Sequence, residues 1–184
     1  MFKIHGNFRD MGTSTRTICL SVAFWYHWMI RMPHIHEKID FVVEVFIVYK
    51  DKVLLRLHDK YKIWLSIGGH VELDEDPNQA ALREVKEEVG LDVALYDGNQ
   101  LFRHESNTDK QLIPPIALGR HPISPAHEHV VSIYMATAKT DKVIPEKPDD
   151  QWKWLTREEV EAMDDLRPDI KYYALYALKV LGGK

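Results

Sequence analysis

The nine residues Phe41 to Tyr49 (FVVEVFIVY) leave this chain few ways to fold. They are β-branched or aromatic almost throughout, with no polar residue at alternate places. A half-exposed strand would alternate, so this one is expected to be buried on both faces. Lys50-Asp51-Lys52 supplies a tight turn, and Val53-Leu54-Leu55-Arg56-Leu57 is expected to return as its hairpin partner. Glu44 is the exception inside the run. A buried charge must be matched, so Glu44 either pairs with a neighbouring cation, Arg56 being the candidate, or faces a ligand cleft.

The second constraint is electrostatic. Asp76-Pro77-Asn78-Gln79 reads as an N-cap, a first-turn proline and a capping-box glutamine, and Val89-Gly90 as a helix stop. At about 100° per residue, Ala81, Leu82, Val85 and Val89 form an inward stripe. Glu84, Glu87 and Glu88 then occupy one arc beside it, near the helix C-terminus. Like charges at these spacings oppose each other by roughly 0.2–0.5 kcal/mol per pair. Anions at that end also meet the unfavourable pole of the helix dipole, at about 0.3–1 kcal/mol. Arg83 and Lys86 relieve only part of this. A divalent cation would reverse its sign, and clustered carboxylate oxygens suit Mg²⁺ or Mn²⁺. For a charge run alone, a solvated acidic face would be the simpler account.

The surrounding residues overturn that account. Gly69, Glu75, Arg83, Glu84, Val85, Glu87, Glu88, Gly90 and Leu91 fill every fixed place of G-x5-E-x7-R-E-U-x-E-E-x-G-U, U being apolar. A chance match per start point is on the order of one in 10⁸ or less. The stretch resembles the box of the Nudix hydrolase family. That resemblance implies an α/β fold, a mixed β-sheet sandwiched between helices, over roughly residues 33–184, preceded by an extension at 1–32. It implies hydrolysis of the diphosphate linkage of a nucleoside diphosphate joined to another moiety, with Mg²⁺ or Mn²⁺ as cofactor. By matching position, Glu87 and Glu88 are metal ligands and Glu84 a ligand or base. The Gly69 carbonyl is a further candidate ligand, and Arg83 holds the glutamates in place. Glu75 is peripheral, and Glu72 is a candidate to orient Arg83 or the metal shell, or else a surface glutamate. Ile67 stands where the family usually has proline. Glu128, about 40 residues past the box, is the candidate for an additional ligand or base. Arg56, Glu44, Arg103 and Arg120 are the candidate substrate contacts.

Elsewhere the sequence says less. A net charge of −4 offers no broad cationic surface for nucleic acid. The single Cys19 excludes an intramolecular disulfide and fits a reducing, cytoplasmic setting. It is also the one thiol available to the alternative of isopentenyl diphosphate isomerisation, done by Nudix relatives with a core cysteine. Residues 1–31 are polar and then apolar for about 13 residues, too short to span a bilayer. They read either as an added element docked on the domain or as translated sequence upstream of a start at Met32, dispensable for catalysis. His34 and His36 alternate ahead of the first strand, as surface histidines or metal ligands. Tyr61–Leu65 and Leu91–Tyr96 read as strands, and Arg103 to Pro125 as a long proline-rich loop. Its cations Arg103, His104, Lys110, Arg120 and His121 are candidates to grip phosphate. His127-Glu128-His129 opens a strand with both histidines on one face. Trp152 and Trp154 read as core, and Thr156 to Glu159 as a capping box. Pro168 opens a helix with an apolar stripe through Ile170, Ala174, Ala177 and Leu178. The expected partner is a small diphosphate substrate, with a homodimer possible in the resembled family. A second reading from another class is a Nudix fold that binds a nucleotide without cleaving it.

Overall fold

The computed structural model of the chain describes residues 38–58, 61–98, 105–106 and 108–183. The extension with Cys19, together with His34, His36, Arg103 and His104, lies outside the described residues. The elements are β1 (Ile39–Tyr49), β2 (Lys52–Leu57), β3 (Trp64–Leu65), α1 (Pro77–Val89), β4 (Val93–Leu95), β5 (Ala117–Ser124), β6 (His127–Ala138), β7 (Trp152–Leu155), α2 (Arg157–Ala162) and α3 (Pro168–Leu181).

The sheet runs β3-β2-β1-β6-β4, with β5 added on β6 and β7 on β2. β1 and β6 are parallel from Ile39↔Glu128 to Val48↔Thr137, while the other ladders are antiparallel. β1 is thus central, and its alternate residues enter two cores. Val43, Val45 and Ile47 pack against Ala81, Val85 and Val89 of α1. Val42, Phe46 and Val48 pack against Ile170, Ala174 and Leu178 of α3. The result is a mixed sheet between helices, as the unbroken apolar run of β1 requires. Phe46 is fully buried, its ring 5.8 Å from that of Tyr173. Truncating such a side chain to alanine removes roughly 3–5 kcal/mol.

β1 and β2 pair only beside their turn, at Val48↔Val53 and Tyr49↔Lys52. Beyond it the two strands part, and residues 67–71 take over the edge of β1. The Val45 N–H donates to the Ile67 carbonyl (2.7 Å), Val43 N–H to Gly69 (2.8 Å) and Val71 N–H to Phe41 (2.9 Å). A Cβ at position 68 would collide with the Val43 carbonyl. Only glycine permits this approach. Ile67 is fully buried in the α1-side core.

The capping chemistry is as read from sequence. The Asp76 carboxylate accepts from the Asn78 and Gln79 amides, the Gln79 side chain accepts from the Asp76 amide, and Gly90 closes α1 in the left-handed region at φ 68°. The Thr156–Glu159 capping box opens α2. Other expectations need correction. Leu82 is 42% exposed, and Ala80 takes its place in the buried stripe, because the stripe lies one residue further round the helix. The expected strands at 61–65 and 91–96 shrink to Trp64–Leu65 and Val93–Leu95. Residues 117–124, expected as loop, form β5 on the edge of β6. Proline is tolerated on an edge strand, and a register irregularity follows Pro122. Trp152 is exposed, while Trp154 donates its indole N–H to the Asp141 carbonyl and packs its ring, tilted by 57°, against Tyr49.

Candidate active site

The box places its charged groups on the α1 side of the sheet. Arg83 is the hub. Its Nε and Nη2 grip Glu75 in a bidentate pair (3.0 and 2.6 Å), Nη1 donates to both Glu84 (3.0 Å) and Glu87 (2.9 Å), and Nη2 also donates to the His70 carbonyl (2.9 Å). A planar five-donor fork suits this task, and lysine could not make the same set. The Glu72 amide, rather than its side chain, completes the arrangement by donating to Glu75. Burial alone would raise the Glu75 pKa, but Arg83 overcomes it and holds the group below the usual carboxylate range.

Glu88 points elsewhere. Its carboxylate accepts from Arg56 Nη1 (2.7 Å) and from the Gly68 amide (3.2 Å). Arg56 also reaches Asp150 at 3.2 Å. Desolvation outweighs Arg56 and pushes the Glu88 pKa up to about 7, with Glu84 and Glu146 adding like-charge repulsion. Glu84 is also raised, chiefly by burial and against the pull of Arg83. Glu84 stands directly over Gly69, where a Cβ would overlap its carboxylate. Glu87 remains 58% exposed.

The donor set fits a hard divalent ion. Glu84, Glu87, Glu88 and Glu146 face two guanidiniums, and the half-buried Glu84 and Glu88 are held protonated more readily than free carboxylates. Two desolvated carboxylates short of positive charge are what oxygen-seeking Mg²⁺ or Mn²⁺ would satisfy. The Gly69 carbonyl already accepts the Val43 amide, so it would serve such an ion only with its second lone pair. Asp150 and Glu146 carried no sequence signal, since their loop brings them here only through β7 and the end of α1.

Strand alternation corrects one sequence expectation, and distance along β6 bears on another. Glu44 does not pair with Arg56. It shares the α3 face with Val42 and Phe46, whereas Arg56 shares the α1 face with Leu54. Glu44 instead hydrogen-bonds Ser66 and feels Arg167 and Asp169; burial raises its pKa. Glu128 does not join the box glutamates either. Its carboxylate is gripped by Arg120 Nε (2.9 Å) and Nη2 (2.6 and 2.8 Å). It lies four residues along β6 from Ser132, the partner of Val43, or roughly 13 Å at about 3.3 Å per residue. Arg120 is thereby committed to an ion pair, and Lys110 lies 3.8 Å from Asp76.

The other side of the sheet carries a second polar group. Asp40, 1% exposed, stands beside His70, His127 and His129, and the rings of His121 and His129 are 5.5 Å apart. Burial lowers the His129 pKa to about 4, with three neighbouring imidazoles opposing its charge and Asp40 favouring it. Sequence alternation found His127 and His129 on one face, but nothing in it brought Asp40 and His70 to them.

Comparison with known proteins shows the family and the fold. The model of the NUDIX domain matches residues 41–176. A NUDIX-family hydrolase structure from Clostridium perfringens aligns with TM-score 0.67 and 37% identity, covering 77% of this chain and 97% of that one. A MutT NUDIX hydrolase from Burkholderia pseudomallei shares the fold, with TM-score 0.53 and 20% identity over 79% of this chain and 99% of that one. Dihydroneopterin triphosphate diphosphatase of Haemophilus influenzae is 38% identical over 58 residues, 29% of this chain and 37% of its own length. This chain therefore spans little more than a third of that relative.

Proposed function

The chain belongs to the NUDIX domain family, and on that premise we propose that it hydrolyses the diphosphate linkage of a small nucleotide-like substrate at the Glu84–Glu87–Glu88 cluster. The observation that carries this reading is the pair of half-buried glutamates beside Gly68-Gly69, where desolvation pushes the Glu88 pKa up to about 7. A polyphosphate would be repelled by these carboxylates without positive charge between them. Glu87 and Glu88 would hold Mg²⁺ or Mn²⁺, which when bound neutralises phosphate oxygens and acidifies a water. Glu84, desolvated against Gly69, takes the proton of the attacking water. Arg83 touches no phosphate. It keeps Glu75, Glu84 and Glu87 at fixed separations, and Arg56 does the same for Glu88.

Similarity to the Haemophilus diphosphatase favours a triphosphate carrying a fused heterocycle, so a pterin triphosphate joins the candidate substrates. The others are nucleoside triphosphates (oxidised ones included), nucleotide sugars, ADP-ribose and dinucleoside polyphosphates. A panel of these with Mg²⁺ and with Mn²⁺, products identified, tests the reading. Turnover of at least one, dependent on the ion, is expected. Tight binding with no product after prolonged incubation would leave a nucleotide-binding module instead. Among the described residues no helix is long and apolar enough to cross a membrane; the reducing setting that the single cysteine fits is the ground on which we place the reaction in the cytoplasm.

A further inference from the structure

The Asp40 cluster lies on the sheet face opposite the box glutamates, and no step above uses it. Three chain segments build it: β1 supplies Asp40, β6 supplies His127 and His129, and His70 comes from the segment before α1. Asp40 and His129 are register partners in the β1–β6 ladder. The nitrogen and oxygen donors of Asp40, His127 and His129 all lie within 4.8 Å of one another. His127 Nε2 is 3.2 Å and His70 Nε2 3.5 Å from the same Asp40 oxygen. A tetrahedral zinc ion with bonds of about 2.0–2.1 Å sets its ligand atoms ~3.3 Å apart. Two edges of such a tetrahedron are therefore present, and modest side-chain rotation closes the rest.

We propose that Asp40, His127 and His129, with His70 in the fourth place, form a structural site for Zn²⁺ that clips β1 to β6. Imidazole nitrogens with one carboxylate select zinc and its transition-metal neighbours, whereas Mg²⁺ seeks oxygen alone. Four protein donors leave no open position, which marks a structural rather than a catalytic zinc site. The neutral state of His129 at pH 7 agrees with ligation, since a protonated imidazole has no lone pair to give. The alternative is a hydrogen-bonded Asp–His network that holds no ion.

The test uses the full chain with Mg²⁺ present in excess, titrated with Zn²⁺ and separately with Co²⁺. One equivalent of Zn²⁺ is expected to bind, and Co²⁺ should give the visible absorption of a tetrahedral nitrogen-rich site. At a hundredfold excess over Kd, Zn²⁺ should raise the Tm by about 5–10 °C. His127→Ala with His129→Ala should weaken uptake by more than the roughly 10–100-fold that loss of an outer partner costs. Should that double variant fail to fold, His129→Gln and the Co²⁺ spectrum of the unsubstituted chain decide the matter. Glu87→Gln with Glu88→Gln should leave the zinc equivalent intact, so failure here is separate from failure of the hydrolase reading. Absence of zinc uptake, or uptake unaffected by the histidine substitutions, would overturn the proposal.

Discussion

The two faces of one sheet solve the problem of buried charge in opposite ways. On the α1 face, acids outnumber bases around Glu84 and Glu88, and two arginines fix their positions without neutralising them all. On the α3 face, His70, His127 and His129 gather around the Asp40 carboxylate, with His121 next to His129. The first arrangement is short of positive charge and rich in oxygen. The second is rich in nitrogen lone pairs and nearly balanced. One sheet thus carries two chemically distinct polar groups, helix-borne carboxylates against one face and strand-borne imidazoles on the other.

The sharpest way to break this contrast is to neutralise the glutamate face. Glu87→Gln should leave the fold intact and lower kcat by at least about 10²-fold in Mg²⁺, the scale of a lost charge-stabilising group. A variant with near-normal turnover would remove Glu87 from the site. Gly68→Ala attacks the same face through its backbone. The added Cβ meets the Val43 carbonyl, so β1 or the loop must shift, at a cost of roughly 2–3 kcal/mol read by denaturant unfolding. Wild-type stability in that variant would mean the close approach is not required.

A pH series sharpens the comparison further. The Glu88 carboxyl sits at about 7 in the fold against 4.5 for the free side chain. Between those values the native state keeps a proton that the unfolded state has released, so this group's contribution to stability falls as pH rises through the window. Glu88→Gln removes that loss. Without divalent ions, its stability relative to the unsubstituted chain should climb from pH 4.5 to 7 by roughly 1–3 kcal/mol. A difference that stays level across the window would show that Glu88 is not desolvated. The His129 shift runs the other way: its pKa is lowered to about 4, so its contribution grows as pH rises from 4 towards 6.5. Substituting His129 should therefore flatten the acid side of the profile instead. The smallest effect concerns α1 alone. Asp76→Ala loses the cap bonds to Asn78 and Gln79 and should cost about 1 kcal/mol, with zinc uptake on the far face unchanged.

Much of this was legible locally. The cap at Asp76, the stop at Gly90 and the capping box at Thr156 depend on residues within one turn of each other, so sequence alone specifies them. β1 announced its burial because both of its faces are apolar. β5 was missed because Pro122 and its neighbours carry turn chemistry, and only the partner strand β6 supplies the hydrogen bonds that make it a strand. Arg56 was offered as one candidate partner for Glu44, and the structure separates them because the face of a residue on β2 follows from register and β2 leaves β1 two residues past the turn.

What the sequence determined by itself was the family, the helix, and the grouping of Glu84, Glu87 and Glu88 on one arc of it. These follow from spacing along a single helix, where 3.6-residue geometry makes sequence distance and spatial distance the same thing. The tertiary structure decided which cation answers each carboxylate. Arg56 meets Glu88 across 32 residues of chain, and Asp40 meets His70 and His127 from separate segments. Such meetings depend on strand register and on where β1 and β2 part, and no local pattern encodes either.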